Sequence, residues 1–313
     1  MDFLGLAAHD AVLGLRAMKA VAQADGWESA QESELLFAAA RAFGVELDPG
    51  DLGPIDPEGL MQSLSGPEAR LRVIQAMILM AMMDGEIDDQ EVSTIEAYAG
   101  RLGIDEPRLH NLRQLAQGRV RLAMLDLARR SFARPVFEDA FKQEGLRGVW
   151  KIVGPLMGGA RDDALAQRYR STGQCPEGSL GRAYFDFMER HDLAFPGERY
   201  GVPESGVWHD ISHVVSGYEA TQEDEVLVVS FIAGFSREDP FFWLFAITLQ
   251  YQLGIKVSPY SPPETGYFKP GSALEALRRG AAMNTDLATW DWWPHRDRPL
   301  SQVQAMLGVP PVA

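Results

Sequence analysis

Two short segments in the first third of this chain repeat one another. Ala24-Asp25-Gly26, with Glu32 seven residues after Asp25, recurs as Met83-Asp84-Gly85, with Glu91 seven residues after Asp84. Each copy sits between two stretches of helical spacing. Val12, Leu15, Met18 and Ala22 precede the first, and Leu36, Ala39 and Phe43 follow it. Leu71, Ile74, Ile78 and Ala81 precede the second, and Val92, Ile95, Ala99 and Leu102 follow it. Apolar residues at that spacing form one stripe of a helix, and such a stripe must be covered. The repeat therefore confines the region to amphipathic helices joined by acidic corners, with a Pro/Gly/Asp-rich loop over residues 48–66. Gly stops one helix and the acidic residues complement the dipole of the next. A second reading stands beside that one: Asp25, Glu32, Asp84 and Glu91 together hold a cation, with Asp88 and Asp89 adding charge. Neither copy has the ligand count of an EF-hand loop.

The duplicated Asp-Gly-(five residues)-Glu resembles the TerB-like (tellurite-resistance B) domain over about residues 5–115. The resemblance implies a compact all-helical module with metal association and no established catalytic activity.

Charge is uneven along the 313 residues. Residues 1–107 carry a balance of −14, residues 108–151 one of +6, and the remainder one of −7. A net charge of −15 argues against a general nucleic-acid binder, because neutralising phosphates needs a basic surface. The basic residues cluster at Arg119, Arg121, Arg129, Arg130 and Arg134. They read either as a solvated helix face or as a contact with anionic lipid or with the acidic N-terminal domain. The expected division is residues 1–118, a basic linker helix 119–134, and a second domain 135–313. Cys175 is the only cysteine, which fits a reducing cytoplasm. Met1-Asp2-Phe3-Leu4 lacks the basic start of a secretory signal, and no apolar run reaches bilayer-spanning length. The expected location is cytoplasmic, with peripheral contact at the inner face of the membrane.

The chemistry concentrates in His209-Asp210-Ile211-Ser212-His213, followed after eleven residues by Glu225. Four residues apart on a helix, His209 and His213 share a face and reach one point. A carboxylate from a later turn completes a site for a divalent metal, zinc first among them. Asp210 lies about 100° around the helix from His209. It reads as a ligand, as a hydrogen-bond acceptor behind one, or as the acid/base. A hydrogen-bonded structural His pair is the competing account. Ser179 is placed to cap a helix carrying Tyr184, Phe185 and Phe187. The run 226–235 is β-branched and fits a buried strand as well as a buried helix; its length together with 241–253 favours helices.

Further blocks flank the motif. Pro176-Glu177-Gly178-Ser179-Leu180-Gly181-Arg182 precedes it. Gly280-Ala281-Ala282-Met283-Asn284-Thr285-Asp286-Leu287 and Trp290-Asp291-Trp292-Trp293-Pro294-His295 follow. In this order, with His-Asp-x-x-His and Glu, they resemble the Coq-four family of coenzyme Q (ubiquinone) biosynthesis proteins over about residues 135–313. The resemblance implies an all-α fold and a metal at His209, Asp210, His213 and Glu225. It also implies a polyprenylated quinone precursor or isoprenoid lipid as ligand, and other quinone-pathway proteins as partners, with oligomers allowed. Such proteins act either as organisers of a biosynthetic complex or in oxidative decarboxylation at ring carbon C1. With Asp210 as the proton carrier, the expected function is that of a precursor-binding protein and metal-dependent decarboxylase. The alternative is a non-catalytic lipid-binding scaffold or stress-sensing module acting through the TerB-like part. A His-Asp phosphohydrolase would have to recruit His191 and Asp239, and would leave Glu225 unused.

Overall fold

The computed structural model describes residues 5–130, 161–258 and 261–311, together with positions 138, 141–142, 144–147, 149–150, 154 and 159. Among these residues the fold is all-α: helices and short 3-10 turns, no strand, and two isolated bridges at Ser179/Pro299 and Leu253/Thr265. The β-branched run 226–235 is helical. Arg134 lies outside the described residues. No helix among them is long and apolar enough to cross a membrane.

The chain divides into two compact units, and neither is continuous in sequence. One comprises 1–129 and 229–281, the other 130–228 and 282–313. The first holds α1 (Ala8–Ala22), α2 (Ala30–Ala42), α3 (Pro57–Ser63), α4 (Pro67–Met80), α5 (Asp89–Leu102), α6 (Pro107–Ala116) and α7 (Val120–Arg130, to Arg129). The second holds α8 (Asp163–Arg170), α9 (Leu180–Arg190) and α10 (Val207–Ser216). The division falls inside α11 (Gln222–Phe235), between Val228 and Val229. Two later helices, α12 (Pro240–Tyr251) and α13 (Pro270–Ala281), belong to the first unit, and α14 (Leu300–Leu307) belongs to the second.

Local sequence explains the helix ends. Ser29 and Glu32 form a reciprocal capping box at α2, Asp88 caps α5, and Ser179 caps α9 by accepting from the Arg182 amide. Pro occupies the first turn of α3, α4, α6 and α12, where its missing N–H costs nothing.

In the first unit, α1 packs on α2 and α4, while α13 packs on α2 and α12 on α4. Leu15, Met18, Leu35, Ala39, Phe241 and Leu277 line one apolar cavity. A buried polar chain fastens the same elements. Gln75 donates to Glu106 at 2.8 Å, Glu106 pairs with Arg108 at 3.0 Å, and Arg108 reaches Asp239 at the start of α12. Residues far apart in sequence thus cover the apolar sides of α2 and α4. A fragment ending at residue 118 is expected to lose cooperative thermal unfolding, followed by circular dichroism, because those sides become exposed to water. Cooperative melting of that fragment near the full-chain temperature would refute this.

In the second unit, α9 packs on α10, and α14 packs on both. The Gln304 side-chain amide donates to the Val215 carbonyl at 3.0 Å. The backbone amides of Leu180 and Gly181 donate to Arg298 O and Arg296 O at 2.9 and 2.7 Å. The start of α9 is thereby fixed on the segment that leads into α14.

Candidate metal centre

Helix α10 ends at Gly217, whose φ of +82° is the left-handed conformation that closes a helix without a Cβ penalty. The chain reverses there and re-enters a helix at Gln222. That reversal carries Glu225 back against the face of α10 that bears both histidines. His209 Nε2 lies 3.6 Å from Glu225 Oε2, and His213 Nε2 lies 3.4 Å from Glu225 Oε1. The two Nε2 atoms are 3.3 Å apart. One donor atom from each of the three residues lies within 4.8 Å of the other two.

Donor orientation is set from behind. His213 is 2 % exposed, and its Nδ1 lies 3.1 Å from the Tyr218 carbonyl. A carbonyl only accepts, so Nδ1 carries the proton and the Nε2 lone pair faces the cluster. Phe187 of α9 stacks on the same ring, centroids 5.1 Å apart and planes at 27°. His209 is partly exposed at the edge of the site, with Trp208 beside it.

The electrostatics follow from this crowding. Burial alone would raise the Glu225 carboxyl, but the two imidazoles beside it hold it well below the usual carboxylate range. Burial would lower His209; the hydrogen bond and charge of Glu225 reverse that and raise it. Two imidazole nitrogens and an ionised carboxylate make a donor set that suits Zn²⁺ or another first-row divalent ion, and three protein donors leave room for a ligand. His209, His213 and Glu225 could therefore hold a metal ion.

Asp210 is not part of that group. It is buried, and its Oδ2 has no hydrogen-bond partner. Burial pushes its carboxyl up to about 6, against the pull of His209 and His213. Its charge acts on Tyr184 and Tyr169, and the buried Tyr184 hydroxyl also lacks a partner. Tyr184 packs against Trp292 at 5.3 Å in an aromatic cluster with Tyr169 and Trp293. His295 stacks on Trp290 at 5.2 Å. The sequence places Tyr184 only on the helix that Ser179 caps; nothing in its spacing signals an unpaired hydroxyl whose neighbour in charge is Asp210. The Tyr218 contribution is a backbone atom, which no motif reports.

The acidic corners of the first unit also come together. Asp25 and Asp84 accept from the amides two residues on, those of Trp27 and Glu86, at 2.8 and 3.0 Å. Gly26 and Gly85 both turn through positive φ, +89° and +93°. The repeat is thus one turn built twice, and the helix-stop account explains its local form. Glu32 and Glu91 are buried, and Glu91 Oε2 has no hydrogen-bond partner. Burial, then repulsion from Glu32 and Asp84, pushes the Glu91 carboxyl up to about 9. Burial raises Glu32 as well. Among the described residues, the four corner carboxylates do not form a group of three or more with donor atoms gathered as closely as those of the histidine site.

A carboxyl raised in the folded state contributes stability below its unfolded value near 4.5 and loses it as pH rises through about 9. Glu91→Gln, which keeps the neutral shape, is expected to be more stable than wild type at pH 8 and equal to it at pH 4. The melting-temperature difference between the two proteins, followed across pH, checks this; a constant difference would contradict it.

On α7, Arg121, Arg129 and Arg130 are exposed beside exposed Leu122 and Leu125. Arg129 pairs with Asp126 at 3.4 Å. His191, the residue a phosphohydrolase reading would need, is engaged with Glu219 Oε2 at 2.6 Å.

Residues 58–114 match the family described as Tellurite resistance protein TerB. The match contains the second acidic corner, Asp84 and Glu91, and helices α4 and α5. No curated protein matches the chain.

Proposed function

With a TerB domain at residues 58–114 as the premise, we propose that the chain joins that module to a metal-dependent, lipid-headgroup-binding part. In this reading His209, His213 and Glu225 hold a divalent ion, zinc by preference. The ligand is the polar head of a polyprenylated quinone precursor, and the reaction is loss of its ring carboxylate at C1. The observation that carries the reading is the gathering of three complementary donors within 4.8 Å, with the His213 Nε2 lone pair turned toward them. The flanking sequence blocks and their likeness to the Coq-four family supply the ligand class.

When bound, the ion supplies Lewis-acid polarisation of an oxygen on the substrate. The protein's own residues supply the rest. Asp210, buried in the same helix turn as the histidines, is the proton carrier: as CO₂ leaves, its proton goes to C1, and the carboxyl regains one from solvent. A hydroxylating version of the step needs dioxygen as oxidant. Tyr184, with its unpaired hydroxyl, is a donor for a ring substituent. In this reading the exposed arginines and leucines of α7 are an anionic-lipid contact, and other pathway proteins are partners.

Complementation of a strain deficient in the decarboxylation tests this. Wild type is expected to restore quinone and Asp210→Asn to fall at least about a hundredfold short, the lower end for loss of a proton-transfer group. Equal restoration by Asp210→Asn removes Asp210 from the chemistry. The TerB match favours a second reading, a non-catalytic lipid-binding scaffold or stress-sensing module. Under it, the protein co-purifies with prenylated lipid but turns none over.

A further inference from the structure

The turn between α10 and α11 holds none of the three donors, yet its atoms are tied to the elements that do. The Tyr218 carbonyl accepts from His213 Nδ1 at 3.1 Å. The Glu219 backbone amide donates to Asp224 Oδ2 at 3.1 Å, one residue before Glu225. The Glu219 side chain reaches the opposite way, to the end of α9. Its Oε1 accepts from Arg190 Nη1 at 2.6 Å, and its Oε2 pairs with His191 Nε2 at 2.6 Å. Phe187, one turn before His191 on α9, touches the His191 ring at 4.8 Å and stacks on His213 at 5.1 Å. Glu219 therefore bridges the helix behind the site to the turn that sets the orientation of one donor and leads into the helix of another.

We propose that Glu219 is a positioning residue of the metal centre. Clamped by Arg190 and His191, it holds the turn 217–220 where the Tyr218 carbonyl selects the Nδ1–H form of His213 and turns Nε2 toward Glu225. The proposal rests on the metal reading for its purpose, though its geometry stands without it. A neutral imidazole carries one proton, so whichever nitrogen meets a fixed acceptor decides where the lone pair points. Partners behind a metal-bound histidine commonly act in this way. The Arg190–Glu219 pair is half-exposed on both sides, so its removal costs little fold stability and its effect on the site can be read separately.

Two measurements test it. In ¹⁵N-labelled metal-free protein, long-range proton–nitrogen correlation of the imidazoles reports the His213 tautomer. Wild type is expected to show Nδ1–H, Glu219→Ala a mixture, and Glu219→Gln, whose amide oxygen still accepts from Arg190, a pattern near wild type. In a Co²⁺ titration, Glu219→Ala is expected to bind about 10- to 100-fold more weakly, with an altered visible spectrum. Should Glu219→Ala fail to fold, Arg190→Ala, which removes one exposed arm of the clamp, is read the same way. An unchanged His213 tautomer together with unchanged Co²⁺ affinity, in a wild type that does bind Co²⁺, overturns the positioning role and leaves the metal reading standing. A wild type that takes up no Co²⁺ overturns the metal reading, and the role of Glu219 falls with it.

Discussion

His213→Ala is expected to lose stoichiometric metal, measured by elemental analysis and native mass spectrometry of the purified protein. Of the three donors His213 is the most buried, and it alone is oriented by both a backbone carbonyl and a stacked ring. Removing it leaves one imidazole and one carboxylate, too few for a stable site of this kind. In wild type the same groups predict a pH dependence. His209 is raised by Glu225, so protons compete for its Nε2 over a range shifted upward from free imidazole, and metal affinity falls as pH is lowered through that range. Full metal content in His213→Ala would show that any bound ion sits elsewhere.

Gly280→Ala is expected to produce the largest loss of stability from adding a single methyl group. A Cβ at Gly280 would lie 1.9 Å from the Phe231 carbonyl oxygen, and one at Gly234 would lie 2.2 Å from that of Leu277. The last turns of α11 and α13 thus meet backbone to backbone, in an approach that only two glycines permit. Neither carbonyl can rotate aside as a side chain would, so the helices must separate. Overpacking of this kind costs about 1–3 kcal/mol, and more where backbone must shift. Chemical denaturation of Gly280→Ala and Gly234→Ala measures the effect; a midpoint within error of wild type for both would mean that the helices part at no cost. The effect should fall on the first unit, because both glycines belong to it.

The helices were legible because their signals are local. Apolar spacing, Ser29, Asp88 and Ser179 as caps, and prolines in first turns all act within a few residues. The duplicated corner was legible for the same reason, since an Asp that accepts from the amide two residues on, followed by Gly, needs nothing distant. The β-branched run 226–235 was ambiguous, because a segment buried on all sides has no polar face to reveal its period. The His pair was legible as a shared helix face. Glu225 was legible only as a plausible partner, because its place depends on the reversal at Gly217.

Residue order alone determined the amphipathic helices of the first third, the cap at Ser179, and that His209 and His213 share a face, because each follows from steric and hydrogen-bonding rules within a turn or two. Only the tertiary structure decided that residues 229–281 cluster with the TerB-containing helices, and that Gly234 and Gly280 exist to let two backbones meet. The burial of Asp210, whose charge acts on an unpaired Tyr184 hydroxyl, was decided there too, as was the Tyr218 carbonyl's choice of the His213 nitrogen that faces Glu225. Those outcomes depend on packing between elements remote in sequence, where burial and close approach, rather than local propensity, determine the geometry.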